Sequence, residues 1–233
     1  MTVGLFGKLP AKRDFVAVGA SRRFLETWEP WLQAGMATSR QSLGAQWTEI
    51  YNRAPIWRFW LGSDFCGEAM IGAFMPSVDG VGRSFPLALF ASEGEDSLPP
   101  PELDANDDWC EAAETLLLEA LAAETDFEAL ARSVATLAAP RLQPRAPELS
   151  GLLVLPEGAV LARDIGGEAS LAFRAARRFG HRSAFAGQSF WWTIGGEGFP
   201  AMALSVVGLP LASRFADLLT GAFERSAEGD HAG

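Results

Sequence analysis

Three short apolar runs, Ile56 to Leu61, Ala69 to Met75 and Phe85 to Ala91, follow one another with only brief Gly- and Asp-containing links at Gly62 to Gly67 and Asp79 to Gly82. Links this short leave no room for the long crossover that parallel neighbours need, so the runs predict consecutive antiparallel strands. Tryptophan placement adds a second constraint. Trp57 and Trp60 are separated by an odd number and must point to opposite faces of a strand, and adjacent Trp191 and Trp192 must do the same. Both faces of the sheet are therefore expected to bury aromatic rings, each beneath its own layer of helices, with one or two tryptophans left at the rim as partner anchors.

The rest of the chain supplies those helices. Thr2 to Phe6 predicts a first strand leading into the loop GKLPAKRD, and Phe24, Trp28, Trp31, Leu32 and Met36 mark one helical face that Pro30 is expected to kink or divide. Ser92 to Asp104, with Pro99, Pro100 and Pro101 among acids, predicts a solvated connection without regular structure. Trp109 to Leu121 predicts an amphipathic helix capped at Asp104 or Asn106, and a second helix is expected over Phe127 to Ala138. Leu152 to Leu155, Phe190 to Ile194 and Ala201 to Val207 predict strands, and Ala169 to Phe179 a helix. Pro210 suits the first turn of a last helix ending near Gly221. Helices and strands interleave on both sides of the proline-rich segment, which predicts an α/β fold, a three-layer α/β/α sandwich with a mixed central sheet. One domain is expected over 1–225, comprising a motif-rich N-terminal region over 1–92, the acidic Pro-rich connection 93–104 and a C-terminal region over 105–225, with a flexible tail at 226–233.

The formal net charge is -10, yet residues 93–128 hold all the excess, with 13 acids and no Lys or Arg. A single-sign field of this kind steers basic proteins and repels nucleic acid, whose binding needs clustered cations, so no nucleic-acid partner is expected. The longest uncharged run, Gly198 to Ser213, is too short for a spanning helix and contains Pro200, Gly208 and Pro210, so no membrane insertion is expected either. The N-terminus shows no signal-peptide pattern, and a cytoplasmic location is expected. Cys66 and Cys110 sit in no metal-ligand spacing, which predicts two buried thiols and no bound metal.

Candidates for chemistry are few. His181 is flanked by Arg177, Arg178 and Arg182, and Ser189 in GQSFW lacks the second glycine of a nucleophile elbow. GLFGK and GGEG match no phosphate or dinucleotide loop, so no cofactor is expected. Two loops remain. GKLPAKRDF carries Lys8 and Lys12, the only lysines, with Arg13 and Asp14, and offers either structural ion pairs or a basic edge for an acidic partner or for the chain's own acidic segment. MPSVDGVGRSFPLAL places Asp79 and Arg83 between two apolar strands, with Gly80 and Gly82 allowing a tight turn. A charge beside the core requires a match, so Arg83 is expected to be partly buried and paired through its fork with Asp14 or Asp79.

Taken in order, GLFGKLPAKRDF, APIWRFWL, MPSVDGVGRSFPLAL, SFWWT and GLPLASRFADLLTG resemble the TagF family of type VI secretion-associated proteins. The resemblance is densest over residues 4–91, thins through the middle and returns between 189 and 221. It implies the same sandwich fold and a role without catalysis: post-translational negative regulation of the type VI secretion machine, linked to its forkhead-associated-domain scaffold. The residues expected to carry partner binding are Lys8, Arg13, Asp14, Trp57, Arg58, Ser77, Asp79 and Arg83. A small hydrolase or transferase built from Asp14 and Asp79 with Arg13 and Arg83 is the alternative, and an adaptor for secreted effectors is a third. Oligomeric state has no signature in the chain.

Overall fold

In chain order the strands are β1 (Val3–Gly7), β2 (Val16–Val18), β3 (Trp57–Leu61), β4 (Met70–Met75), β5 (Leu87–Ser92), β6 (Leu152–Val154), β7 (Val160–Ala162), β8 (Gln188–Thr193) and β9 (Met202–Val207). The helices that lie wholly among the described residues are α1 (Arg22–Leu43), α2 (Trp47–Arg53), α3 (Ser63–Cys66), α4 (Asp107–Ala120), α5 (Phe127–Thr136) and α6 (Phe215–Thr220). These come from a computed structural model that describes residues 2–92, 98–122, 125–140, 152–154, 160–162, 173, 177 and 181–223. The expected helix over 169–179 and the tail at 226–233 fall largely or wholly outside that range.

Seven strands form one sheet in the order β2-β1-β5-β4-β3-β8-β9, while β6 and β7 pair as a separate hairpin. Every pairing in the large sheet is antiparallel, so it is not mixed as the interleaving of elements suggested. Short links dictate direction within β3-β4-β5 and in the β1-β2 and β8-β9 pairs. The directions of β1 beside β5 and of β8 beside β3 are set by long connections that no local pattern encodes.

Helices cover both faces, giving the three expected layers. On one face, α1 lays Phe24, Trp28, Trp31, Leu32 and Met36 onto Trp57, Phe59, Phe74 and Trp191, joined by Trp47 and Tyr51 of α2 and by Phe215 and Leu218 of α6. On the other, Cys110, Ala113 and Leu117 of α4 and Leu130 and Val134 of α5 pack on Trp60, Ile71, Ala73, Leu87 and Leu89. Trp57 and Trp60 thus go to opposite cores, as their odd spacing requires, and Trp191 and Trp192 divide in the same way. Trp28 stacks at 5.9 Å on Trp191 and lies 4.5 Å from Phe59, so α1 is seated by ring against ring.

The α1 helix starts where the Ser21 hydroxyl accepts from the Phe24 N–H, and it continues undivided through Pro30. Pro30 lies on the exposed side, where water can satisfy the carbonyl it leaves unpaired, which is why the expected break does not occur. Gly35 lets α6 approach closely, since a Cβ there would fall 2.4 Å from the Phe215 ring. Two other expectations change. Leu98, Pro99 and Pro100 are buried, with the Leu98 carbonyl accepting from Trp60 Nε1 at 3.3 Å, so the proline segment is not simply a solvated connection. Pro210 lies before the last helix, which begins only after a 3-10 turn at Ala212–Arg214, and its carbonyl accepts from Trp31 Nε1 at 2.8 Å. Among the described residues, no helix is long and apolar enough to cross a membrane.

Candidate functional site

At one end of the sheet the β1–β2 loop meets the β4–β5 turn. Asp79 opens that turn: its N–H donates to the Arg83 carbonyl at 3.1 Å and its carbonyl accepts from the Gly82 N–H at 2.9 Å. Gly82 takes φ +84°, a left-handed conformation that larger side chains resist, and so lets the chain fold back. The Asp79 side chain is then surrounded. Oδ1 accepts from the N–H groups of Val81 at 3.1 Å and Arg83 at 2.8 Å, while Oδ2 accepts from Arg83 Nε at 2.7 Å and Lys8 Nζ at 3.0 Å.

The two loops are stitched together around this carboxylate. Gly80 N–H donates to the Lys12 carbonyl at 2.7 Å, Arg83 Nη2 donates to the Arg13 carbonyl at 2.6 Å, and Ser77 Oγ donates to the Lys8 carbonyl at 2.7 Å. Tyr51 closes the inner side, donating its hydroxyl to the Ser77 carbonyl and accepting from the Ser77 N–H, both at 3.1 Å. Burial alone would push the Asp79 carboxyl up. The Arg83 N–H, the Lys8 ammonium, the Arg83 guanidinium and the Val81 N–H outweigh it and hold the group well below the usual carboxylate range.

The outer surface of this junction has a different character. The Asp79 side chain is fully buried, but that of Arg83 is 60% exposed, so the expectation of a partly buried Arg83 reverses: the acid is the interior member of the pair. Arg83 reaches Asp79 through Nε alone and spends its second contact on the Arg13 carbonyl, so the pairing is not a fork on one carboxylate. Arg13, Asp14, Phe15 and Val81 are exposed around it. Asp14 takes no part in the Asp79 cluster.

A second cluster lies inside the α4 core. Arg58 points from β3 to the same face as Trp60, and its side chain is 2% exposed. Its Nε and Nη2 donate to Glu114 Oε1 and Oε2 at 2.6 and 3.2 Å, and Nη1 donates to Asp107 Oδ1 at 3.0 Å. Burial acts to lower the Arg58 pKa, but the bidentate bond and charge of Glu114 prevail and raise it. Among the described residues, the acidic segment is held by Arg58 of the sheet and, at Glu102, by Arg177 Nη1 at 2.9 Å. The Lys8–Arg13 loop meets the segment where Lys12 Nζ stands 4.5 Å from the Phe127 ring centre.

Of the eight residues expected to form a site, Lys8, Arg13, Ser77, Asp79 and Arg83 come together, and Trp57 and Arg58 do not join them. Trp57 is core, donating Nε1 to the Leu218 carbonyl at 2.8 Å, and Arg58 belongs to the α4 ion cluster. Tyr51, Asp107 and Glu114 are structural members of the two clusters that sequence reasoning missed. Glu114 had a signal: it lies seven residues from Asp107, two helical turns along one face, and a lone Arg58 between Trp57 and Trp60 demands a buried counter-charge.

Other reactive groups are committed elsewhere. Ser189 Oγ donates to the Gly208 carbonyl at 2.6 Å and accepts from Trp191 Nε1 at 2.8 Å. Both cysteines are buried and free, and burial pushes the thiols of Cys66 and Cys110 up to about 11 and about 12. Among the described residues no cluster of His, Cys, Asp or Glu could hold a metal ion.

The segment that builds both clusters, residues 4–137, matches the family model described as TagF N-terminal domain, type VI secretion system-associated. The whole chain is similar to the crystal structure of PA0076 from Pseudomonas aeruginosa PAO1, with 33% identity, 97% of each chain covered and a TM-score of 0.79. No curated protein matches it. A family model that accounts for more than half of the residues, over the strands and loops that create the Asp79 junction, places this chain in the TagF family of type VI secretion-associated proteins.

Proposed function

We propose that this protein is a cytoplasmic, non-catalytic negative regulator of type VI secretion that acts after translation by binding another component of the machine. The observation that carries this reading is the Asp79 junction. Its buried carboxylate has four donors on its two oxygens and is held ionised, so it has little capacity left to act as a general acid or base. What the junction does instead is hold two loops rigidly so that Arg13, Val81 and Arg83 project outward. A cationic and apolar spot on a chain of net charge -10 suits an acidic protein surface.

The family resemblance directs attention to the forkhead-associated-domain scaffold as that surface, with residues 1–225 acting as one domain. Co-purification of the two proteins from the native cell tests the proposal. Arg13→Glu combined with Val81→Asp alters only exposed side chains, and it is expected to abolish scaffold recovery and relieve repression while the melting temperature holds. Recovery equal to the parent's would remove the junction from the binding surface. The hydrolase alternative built on Asp14, Asp79, Arg13 and Arg83 predicts turnover of phosphoester, ester or peptide substrates that Asp79→Asn abolishes. The saturated Asp79 and the solvent position of Asp14 weigh against it.

A further inference from the structure

The two edges of the large sheet are unlike. The β2 edge is three residues long, whereas β9 offers six residues, and among the described residues β9 pairs only with β8. The Gly208 N–H donates to the Gly187 carbonyl, which sets the alternation of the β8–β9 ladder. Met202, Leu204 and Val206 then bond to β8 and turn their side chains to the α1 core, while Ala203, Ser205 and Val207 aim their N–H and C=O groups away from the sheet. Edge strands are ordinarily guarded by Lys, Pro, a bulge or brevity. This one has none of these, lies within the uncharged run Gly198 to Ser213, and leaves Val207 81% exposed.

We infer that β9 is a self-association edge, pairing antiparallel with β9 of a second copy about a dyad at Ser205. In that register Ser205 faces its symmetry mate and Ala203 faces Val207, so every outward residue both donates and accepts. A second copy fits better than a charged partner for two reasons. The edge is neutral, so it offers nothing to a basic or acidic strand. It is also far from the acidic helix α4, which packs on β4 and β5. Across the joined sheet the two β4 strands would stand seven spacings apart, about 33 Å at ~4.8 Å per strand, several times the ~8 Å screening length. Contact through the α4 face would instead press together the segment with 13 acids and no base.

Sedimentation velocity of the full chain over a concentration series tests this, starting from a monomer of 25.0 kDa. The parent is expected to move toward twice that mass as concentration rises, independently of salt. Val207→Lys places a guard charge on the edge, and Ser205→Pro removes an outward donor without touching the β8 ladder. Each should raise the midpoint concentration by about tenfold or more at unchanged melting temperature. Should Ser205→Pro lower the melting temperature, Val207→Lys alone decides, because its side chain is almost wholly in solvent. A parent that stays monomeric throughout, one that binds another protein's strand at this edge instead, or a dimer that Val207→Lys leaves intact would each overturn the inference.

Discussion

The two ion clusters are inversions of one another. In the α4 core the cation Arg58 is buried and its partners come from an acidic helix that reaches solvent, with Asp107 64% exposed and Glu114 12% exposed. At the loop junction the anion Asp79 is buried, and of its partners Lys8 is interior while Arg83 is in solvent. Each cluster neutralises a charge that the sheet cannot tolerate alone, and each leaves the opposite sign on the surface. The acidic character of α4 and the exposed cation of the β4–β5 turn are therefore partly by-products of folding. The difference lies in what the surface keeps. Glu114 is consumed by Arg58, whereas Arg83 retains most of its guanidinium for solvent or a partner.

The largest effect expected from breaking this symmetry is at Glu114. Glu114→Ala leaves Arg58 buried with only the solvent-facing Asp107 beside it, and loss of one member of a buried pair costs on the order of 3–5 kcal/mol. Urea unfolding would register it, and a double change to Arg58→Met with Glu114→Leu should recover most of the loss, since an apolar pair of similar volume removes the buried charge. A Glu114→Ala protein as stable as the parent would show that Arg58 draws its compensation from elsewhere.

Next in size is Asp79→Asn, which strips the Lys8 ammonium of its buried counter-charge and should lower the melting temperature clearly at neutral pH. The pH dependence identifies the cause. The folded Asp79 pKa lies below its unfolded value of about 3.9. Its contribution to stability is thus complete above that value and is lost as pH falls toward the folded one. Parent and variant melting temperatures should converge on acidification below about pH 4. A gap that persists unchanged well below pH 4 would mean that Asp79 acts through packing and not through charge.

Arg83→Ala should matter less than either, lowering the melting temperature by under about 4 °C, because an exposed partner of an ion pair contributes little to folding. Its effect is expected in scaffold binding. A fall comparable to that of Asp79→Asn would make Arg83 a structural member of the loop and not of its binding surface.

The smallest stability effect is expected from Glu111→Gln with Glu119→Gln, both exposed on α4 and neither bonded to Arg58. Stability should hold within about 0.5 kcal/mol. Association with a basic protein should slow and lose salt dependence, as measured by stopped-flow mixing. An unchanged rate at low salt would reduce this face to a solvated surface.

Much of this architecture was determined by the sequence alone. The β3-β4-β5 meander follows from two links too short for a crossover, and the double-sided core follows from the odd spacing of Trp57 and Trp60 and the adjacency of Trp191 and Trp192. The Asp79 turn was legible too, because Asp-Gly followed by a second glycine has few conformations open to it. The tertiary structure decided which charge goes inside. Arg83 and Asp79 are four residues apart, and nothing local states that Lys8, in a loop far away in sequence, will arrive beside the acid and hold it inside. Arg58 likewise found its carboxylates across 49 and 56 residues of chain. It also decided the directions of β1 and β8 in the sheet and left β9 on an open edge. Local patterns encode turns and faces because these depend on neighbouring backbone geometry. Charge partners and strand order depend on contacts whose closure entropy only the whole packed core can offset.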